Sequence, residues 1–501
     1  MTDTVTVHDD RIAEIAPGIY GHFAEHLGRC IYGGLWVGED AAVETRDGVR
    51  TDTLDLLADL ETPVLRWPGG CFADDYHWED GVGPREERPD RRNLWWTQGR
   101  ENVPEEPNDF GTDEFLALCE HIDAEPYLAA NVGSGDPGEA TDWVEYCNYD
   151  GDTDLAERRR ANGRAEPYDV TYWGVGNENW GCGGTYAPDE YARDYRRFAT
   201  YLRGYDRLMG DGDLELVACG HTTEEWNREF LRELGGDAHM VNHLSVHRYY
   251  GAGDATDFSD EQYYRLFADS LRVADDIERA AATVEAHAPG ADVGIIVDEW
   301  GVWHPEAEND NGLEQPNTVR DALSAAGVLD VLNRHADTVT MANIAQTVNV
   351  LQCLVQTDEE SAWATPTYRV FDCYEPHIGA TALRSTVDTD ERTPSEDLPS
   401  VPLVSASVSE TDDGIFVTLS NRDLDSRDVC VDLPADAGAT GGGASTVESA
   451  EVLFDGLDPA AASTAANAAD FAAESASVDL EADGRLAAEV PGSAVLGARV
   501  R

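Results

Sequence analysis

Two stretches decide how the chain is read: Tyr172–Gly181, YWGVGNENWG, and Val297–His304, VDEWGVWH. The first ends the apolar run Val170–Gly176 and presents Asn177, Glu178, Asn179 and Trp180. The second ends the run Val293–Val297 and presents Asp298, Glu299 and Trp300. A short continuous apolar run marks a strand buried on both faces, as in parallel sheets. A carboxylate at the carboxyl end of such a strand stands where α/β sheets and barrels gather their chemistry. Glu178 and Glu299 are therefore expected to face each other across one pocket.

Working outward, strand-like runs fall at Gly18–His22, Pro63–Arg66, Pro126–Asn131, Leu214–Cys219, His243–His247 and Thr338–Asn343, besides Val170–Val175 and Val293–Asp298. Helical periods lie between them, among others at Thr53–Leu60, Asp113–Ile122, Asp189–Tyr205, Tyr263–His287 and Val319–Arg334. Eight strands, most followed by a helix, predict an α/β fold of the (β/α)8 barrel type over residues 16–381. Polar side chains recur at the strand ends: His22, Glu25 and His26, then Arg66, Asn131, Asn177 and Glu178, His221, His247 and Tyr249, Glu299, and Asn343 and Gln346. One such position is ordinary capping or solvation. Eight in phase would converge on one face of a barrel.

After residue 381 the helical period gives way to short alternating runs, from Leu403–Val408 to Val495–Val500, separated by Gly/Ala/Ser-rich stretches such as Gly438–Thr446 and Asp458–Ser475. This predicts a β-sandwich over 382–501, joined by the alternating opening strand in residues 1–15.

Composition narrows the classes. The 501 residues carry 99 acidic against 35 basic side chains, a net charge of −64, with no lysine anywhere. With 42% hydrophobic residues the chain is not of the disordered type. The expectation is a folded protein adapted to high salt, where the Debye length falls to about 3 Å at 1 M. Nucleic acid and anionic membranes are poor partners for such a surface. No secretory signal and no spanning segment are visible, so a cytoplasmic protein is expected. The nine cysteines include no CxxC pair, which indicates neither a zinc ribbon nor a disulfide framework. No cofactor or metal is expected. His22-Phe23-Ala24-Glu25-His26 fits the inverted zinc signature H-x-x-E-H, but it follows a strand and runs into Leu27-Gly28-Arg29, a poor helix.

Two strand-end glutamates suit glycoside hydrolysis, which needs a carboxylic acid for the leaving oxygen and a carboxylate opposite it. Glu178 would begin protonated and Glu299 ionised. Asn177 and Asn179 could bind sugar hydroxyls, and Trp180, Trp300 and Trp303 could offer flat apolar faces. Arg66 is expected to fix a carboxylate through a bidentate pair rather than to touch sugar. Cys71 reads as small core filling. His221 and His247 are open between structural and functional roles. Trp95 and Trp96 are open between outer subsites and a subunit contact.

The motifs Gly21–Trp36, Arg66–Pro84, Tyr172–Gly184, Ser245–Gly251, Val297–Trp303 and Ala342–Gln352 together resemble those of glycoside hydrolase family 51, the α-L-arabinofuranosidases. The resemblance implies a retaining, exo-acting enzyme with Glu178 as acid/base and Glu299 as nucleophile. It implies a furanose pocket shaped by Glu25, Arg66, Asn177, Tyr249 and Gln346; His247 and Trp303 are further candidates for substrate binding. Family members carry Asn or Cys after W-P-G-G, here Cys71, so that residue's direct role is open. The substrates implied are arabinofuranose-containing oligosaccharides from arabinan or arabinoxylan, and the assembly implied is a homo-oligomer, commonly a hexamer. The rival readings are another retaining glycosidase of the clan, such as a β-xylosidase or endoglucanase, and a sugar-binding barrel without catalysis.

Overall fold

The computed structural model describes residues 2–96, 105–209, 212–412, 414–434, 446–481 and 484–501. The N-terminal strand β1 (Asp3–Glu14) is followed by eight parallel strands: β2 (Gly21–Phe23), β3 (Val64–Trp67), β4 (Glu125–Ala130), β5 (Tyr172–Val175), β6 (Glu215–Ala218), β7 (His243–Tyr250), β8 (Gly294–Val302) and β9 (Val339–Ala345). These eight close into a barrel in chain order, with β9 returning to β2. The expected strands are all present, displaced by a few residues at their ends. Val64, Tyr127, Val217, Ile296 and Met341 fill the interior below the mouth. Their chain neighbours point outward to the helices, since side chains alternate along a strand.

The helices α1 (Thr51–Asp59), α2 (Thr112–Ile122), α3 (Pro137–Asn148), α4 (Asp154–Ala161), α5 (Pro188–Met209), α6 (Glu224–Leu234), α7 (Asp260–Ser270), α8 (Val273–His287), α9 (Val319–Arg334) and α10 (Pro366–Tyr374) accompany the barrel. The single helix expected over Tyr263–His287 is broken into α7 and α8. At the break the Arg272 amide bonds Asp269 and the Ala274 amide bonds Leu271, three residues back, which tightens the chain and turns it. An apolar period that persists through such a turn does not reveal it.

The C-terminal region is β-rich. Strands β10 (Thr381–Asp388), β11 (Val404–Thr411), β12 (Gly414–Asn421), β13 (Arg427–Asp432), β14 (Val447–Leu453), β15 (Arg485–Val490) and β16 (Ala494–Val500) join β1 and two short edge strands in one ten-stranded sheet. The sheet folds over itself: Val429, Val431, Leu486 and Val490 of β13 and β15 share a core with Ile415, Val417, Leu496 and Val500 of β12 and β16. Strand β1 pairs antiparallel with β10 and parallel with β13. Helix α9 lies between barrel and sheet. There the buried Asp330 carboxylate accepts the hydroxyls of Tyr374 (2.9 Å) and Ser407 (2.8 Å), and also that of Ser405.

Candidate active site

A bulge in β8 creates the site. His243–Val246 of β7 pair with Gly294–Val297 in step, but His247 pairs with Glu299, leaving Asp298 as the extra residue. A bulge lets two successive side chains face the same way. Ile296, Asp298 and Glu299 thus all point into the barrel, while Trp300 is fully buried outside it, stacked 6.1 Å from Phe371. Trp300 is therefore core and not a platform for sugar, contrary to the sequence expectation.

Asp298 is held by Tyr127 Oη (2.9 Å) and Asn343 Nδ2 (2.9 Å). Glu299 accepts from Arg66 Nη1 at 2.9 Å and from Tyr249 Oη at 2.7 Å. Arg66, packed against the Phe23 ring at 4.6 Å, donates its other terminal nitrogen to Asn177 Oδ1 (2.6 Å), and its Nε lies 3.4 Å from Asp298. The expected bidentate pair is thus spread over three acceptors, because Glu299, Asp298 and Asn177 converge on one guanidinium. Burial raises the pKa of Glu299, but His247, Arg66 and Tyr249 outweigh it and hold the carboxyl below its ordinary value.

Glu178 follows β5 on a sharp turn in which both Gly176 (φ 83°) and Glu178 (φ 41°) are left-handed. Its Oε1 lies 2.9 Å from His247 Nδ1, which is itself 3.6 Å from Glu299 Oε2. One oxygen of each glutamate and the histidine nitrogen lie within 4.8 Å of one another. Burial works against a charge on His247, but Glu299 and Glu178 outweigh it and raise its pKa.

Glu25 lies across this space, its Oε1 accepting from Trp96 Nε1 (2.9 Å) and the Phe72 amide (3.0 Å), its Oε2 from Gln346 Nε2 (3.2 Å). Burial first, then the charge of Glu299, pushes its pKa up to about 8. Trp96 thus faces the site, and Asn93 fixes it by accepting the Trp96 amide at 3.1 Å. Trp303 is 39% exposed, edge-on to Tyr249 at 5.4 Å. Trp180 is half-buried, edge-on to His221 at 4.6 Å.

Three sequence expectations are corrected here. Cys71 does not fill a core on its own: it forms a disulfide with Cys182, a single bridge where the sequence indicates no disulfide framework. Spacing could not reveal this, since the two are 111 residues apart and only the barrel brings their loops together. Asn179 turns away from the pocket, donating to Gly183 O (2.8 Å). Asn131 is a loop cap, accepting the amides of Ser134 and Gly135. The two histidines of the zinc-like motif diverge as well: His26 pairs with Glu106 at 2.9 Å, and His22 lies near Thr62 and Thr347. Among the residues the sequence did not single out, Cys182 lies 3.6 Å from Glu178, and Asp74 holds the amide of Asn177 beside it. Asp74 is 4% exposed, and burial pushes its pKa up to about 7 against several N–H donors that lower it.

Comparison with known proteins gives the family. The α-L-arabinofuranosidase 1 domain matches residues 56–266, and the α-L-arabinofuranosidase C-terminal domain matches residues 298–493. The chain is 44% identical to an intracellular exo-α-L-arabinofuranosidase of Bacteroides ovatus, over 84% of this chain and 82% of that one.

The chain belongs to the α-L-arabinofuranosidases of glycoside hydrolase family 51.

Among solved members of this family, the arabinofuranosidase of Xanthomonas axonopodis pv. citri superimposes with a TM-score of 0.91 at 32% identity, each chain covered in full. The Thermotoga maritima α-L-arabinofuranosidase, solved with arabinose, gives 0.87 at 30% identity, with 99% of each chain covered. The family's architecture of parallel barrel plus β-rich C-terminal domain is the one described above.

Proposed function

We propose that this arabinofuranosidase is retaining and exo-acting, and releases terminal arabinofuranose from arabinan- or arabinoxylan-derived oligosaccharides by double displacement. The observation that carries the reading is the juxtaposition of Glu178 and Glu299, with oxygens within 4.8 Å and His247 against both. Retaining enzymes need about 5–5.5 Å between such carboxyl groups, too close to admit a water between them. Glu299, kept ionised by Arg66 and aimed by Tyr249, attacks the anomeric carbon while Glu178 gives its proton to the departing oxygen. Glu178 then takes a proton from water as that water displaces Glu299.

In this reading Glu25, Asn177, Gln346 and Trp96 form the sugar pocket, and Trp303 flanks the leaving group. His247 bridges the two glutamates rather than binding sugar first. Cys71, its sulfur bonded to Cys182, contributes the bridge and no hydroxyl contact. A panel of aryl glycosides and oligosaccharides tests the assignment. Arabinose release from α-L-arabinofuranosides without shortening of unbranched β-glucan is expected. Preference for a β-xyloside or an internal glucan bond would favour another retaining glycosidase.

Three broader features belong to the same proposal. The charge of −64 suits a protein that works in molar salt. An intracellular site of action is named for the Bacteroides ovatus relative, and no helix among the described residues is long and apolar enough to cross a membrane. A homo-oligomer, a hexamer by resemblance, is expected in solution and is read by light scattering at high salt.

A further inference from the structure

Asp74 sits in a short 3-10 turn, Cys71–Asp75, just beyond β3, and its side chain reaches into the loops after two other barrel strands. Its Oδ1 accepts the amides of Val132 and Gly133, each at 2.7 Å, from the loop after β4. Its Oδ2 accepts the amide of Asn177 at 2.8 Å and lies 3.4 Å from Asn179 Nδ2, both in the loop after β5. The main-chain oxygen of Asp74 takes the Ser134 amide at 3.1 Å. Every side-chain partner is an N–H, and both carboxylate oxygens are used.

The Asn177 amide is the point that needs a grip. It lies between two left-handed residues, Gly176 and Glu178, and a non-glycine residue such as Glu178 holds that conformation only where its surroundings impose it. No side chain within the loop supplies an acceptor for this amide; Asp74 supplies it from 103 residues away.

We propose that Asp74 is a positioning residue for the acid/base: its carboxylate clamps the Asn177 amide to the loop after β4 and so sets the left-handed turn that aims Glu178. This rests on the acid/base role proposed for Glu178. Only a carboxylate suits the clamp. Asparagine would turn a donor toward either the Val132–Gly133 pair or the Asn177 amide, and serine is too short to span the two loops.

The test compares the wild type, Asp74→Asn and Asp74→Ser on two substrates in the same buffer: 2,4-dinitrophenyl α-L-arabinofuranoside, whose leaving group needs little protonation, and an arabino-oligosaccharide, whose leaving group needs it fully. Wild-type turnover of both is established first; failure there sinks the enzymatic reading and not the clamp. With proton donation misaimed, kcat/KM on the oligosaccharide falls about a hundredfold, within the span of general acid catalysis, while the dinitrophenyl substrate stays within about threefold. Equal losses on the two substrates, or no loss on either, overturn the proposal. So do variants that do not fold, because the carboxylate would then hold up the barrel mouth at large rather than aim one side chain.

Discussion

Arg66 is buried, with the Phe23 ring 4.6 Å away and Glu299, Asn177 and Asp298 in front of it. Its charge is one of the reasons Glu299 ionises below the ordinary value of 4.5. The sign follows from linkage: a carboxyl with a lowered native pKa adds stability above its unfolded pKa, and that stability is lost as pH falls through the native value. For activity, kcat/KM should hold to below pH 4.5 on the acid side before the nucleophile takes a proton. In Arg66→Met burial of Glu299 is opposed by His247 and Tyr249 without that charge, so the acid limb should move to higher pH and stability at neutral pH should drop. A pH–rate profile with the limb unmoved would remove Arg66 from the account. Asp298 shows how little of this a residue reads by itself: beside Glu299 it looks like a second candidate carboxylate. Its bonds to Tyr127 and Asn343 make it an anchor instead.

The eight strands were legible because buried parallel strands are continuous apolar runs with polar ends, and those ends contain Glu178, Glu299, Arg66, Tyr249 and Gln346. What remained hidden depends on register or on distance in the chain. The bulge at Asp298 slips the alternation by one residue, so Glu299 faces the lumen where strict period two would turn it outward, and Trp300 becomes core. Trp96 belongs to a polar loop with no period, and its indole is assigned to the pocket only by its bond to Glu25. The Cys71–Cys182 bridge joins the loops after β3 and β5, the same two loops that Asp74 ties together. Closing a loop of this length removes much freedom from the unfolded chain, so Cys71→Ser with Cys182→Ser should cost about 2–4 kcal/mol in chemical denaturation. Treating the oxidised wild type with a phosphine reductant should give the same loss. A reducing compartment keeps such pairs as thiols, so equal stability of both forms would mean that the bridge does not hold these loops.

Across the whole molecule, 99 acidic side chains face 35 arginines, some of which join separate elements. Arg427 on β13 reaches Asp3 on β1 at 2.6 Å, with Asp390 (2.8 Å) and Asp423 (2.7 Å) around the same guanidinium. Arg29 joins Glu314 at 2.7 Å, linking the segments after β2 and β8. The remaining acidic surface repels itself unless salt screens it, over about 3 Å at 1 M but about 10 Å at 0.1 M. The melting temperature should therefore rise steeply with salt up to molar levels, and activity should follow; unchanged melting in dilute buffer would contradict this reading of the charge. The proposed mechanism sets two glutamates against one sugar ring, and azide reports on both. With an aryl α-L-arabinofuranoside, Glu299→Ala should give the β-azide, since azide enters the vacated nucleophile site and attacks directly with inversion. Glu178→Ala should give the α-azide, since azide there displaces Glu299 from the glycosyl-enzyme and completes a second inversion. Proton NMR of the two products shows opposite anomers if the assignment holds; the same anomer from both variants, or none from either, contradicts it.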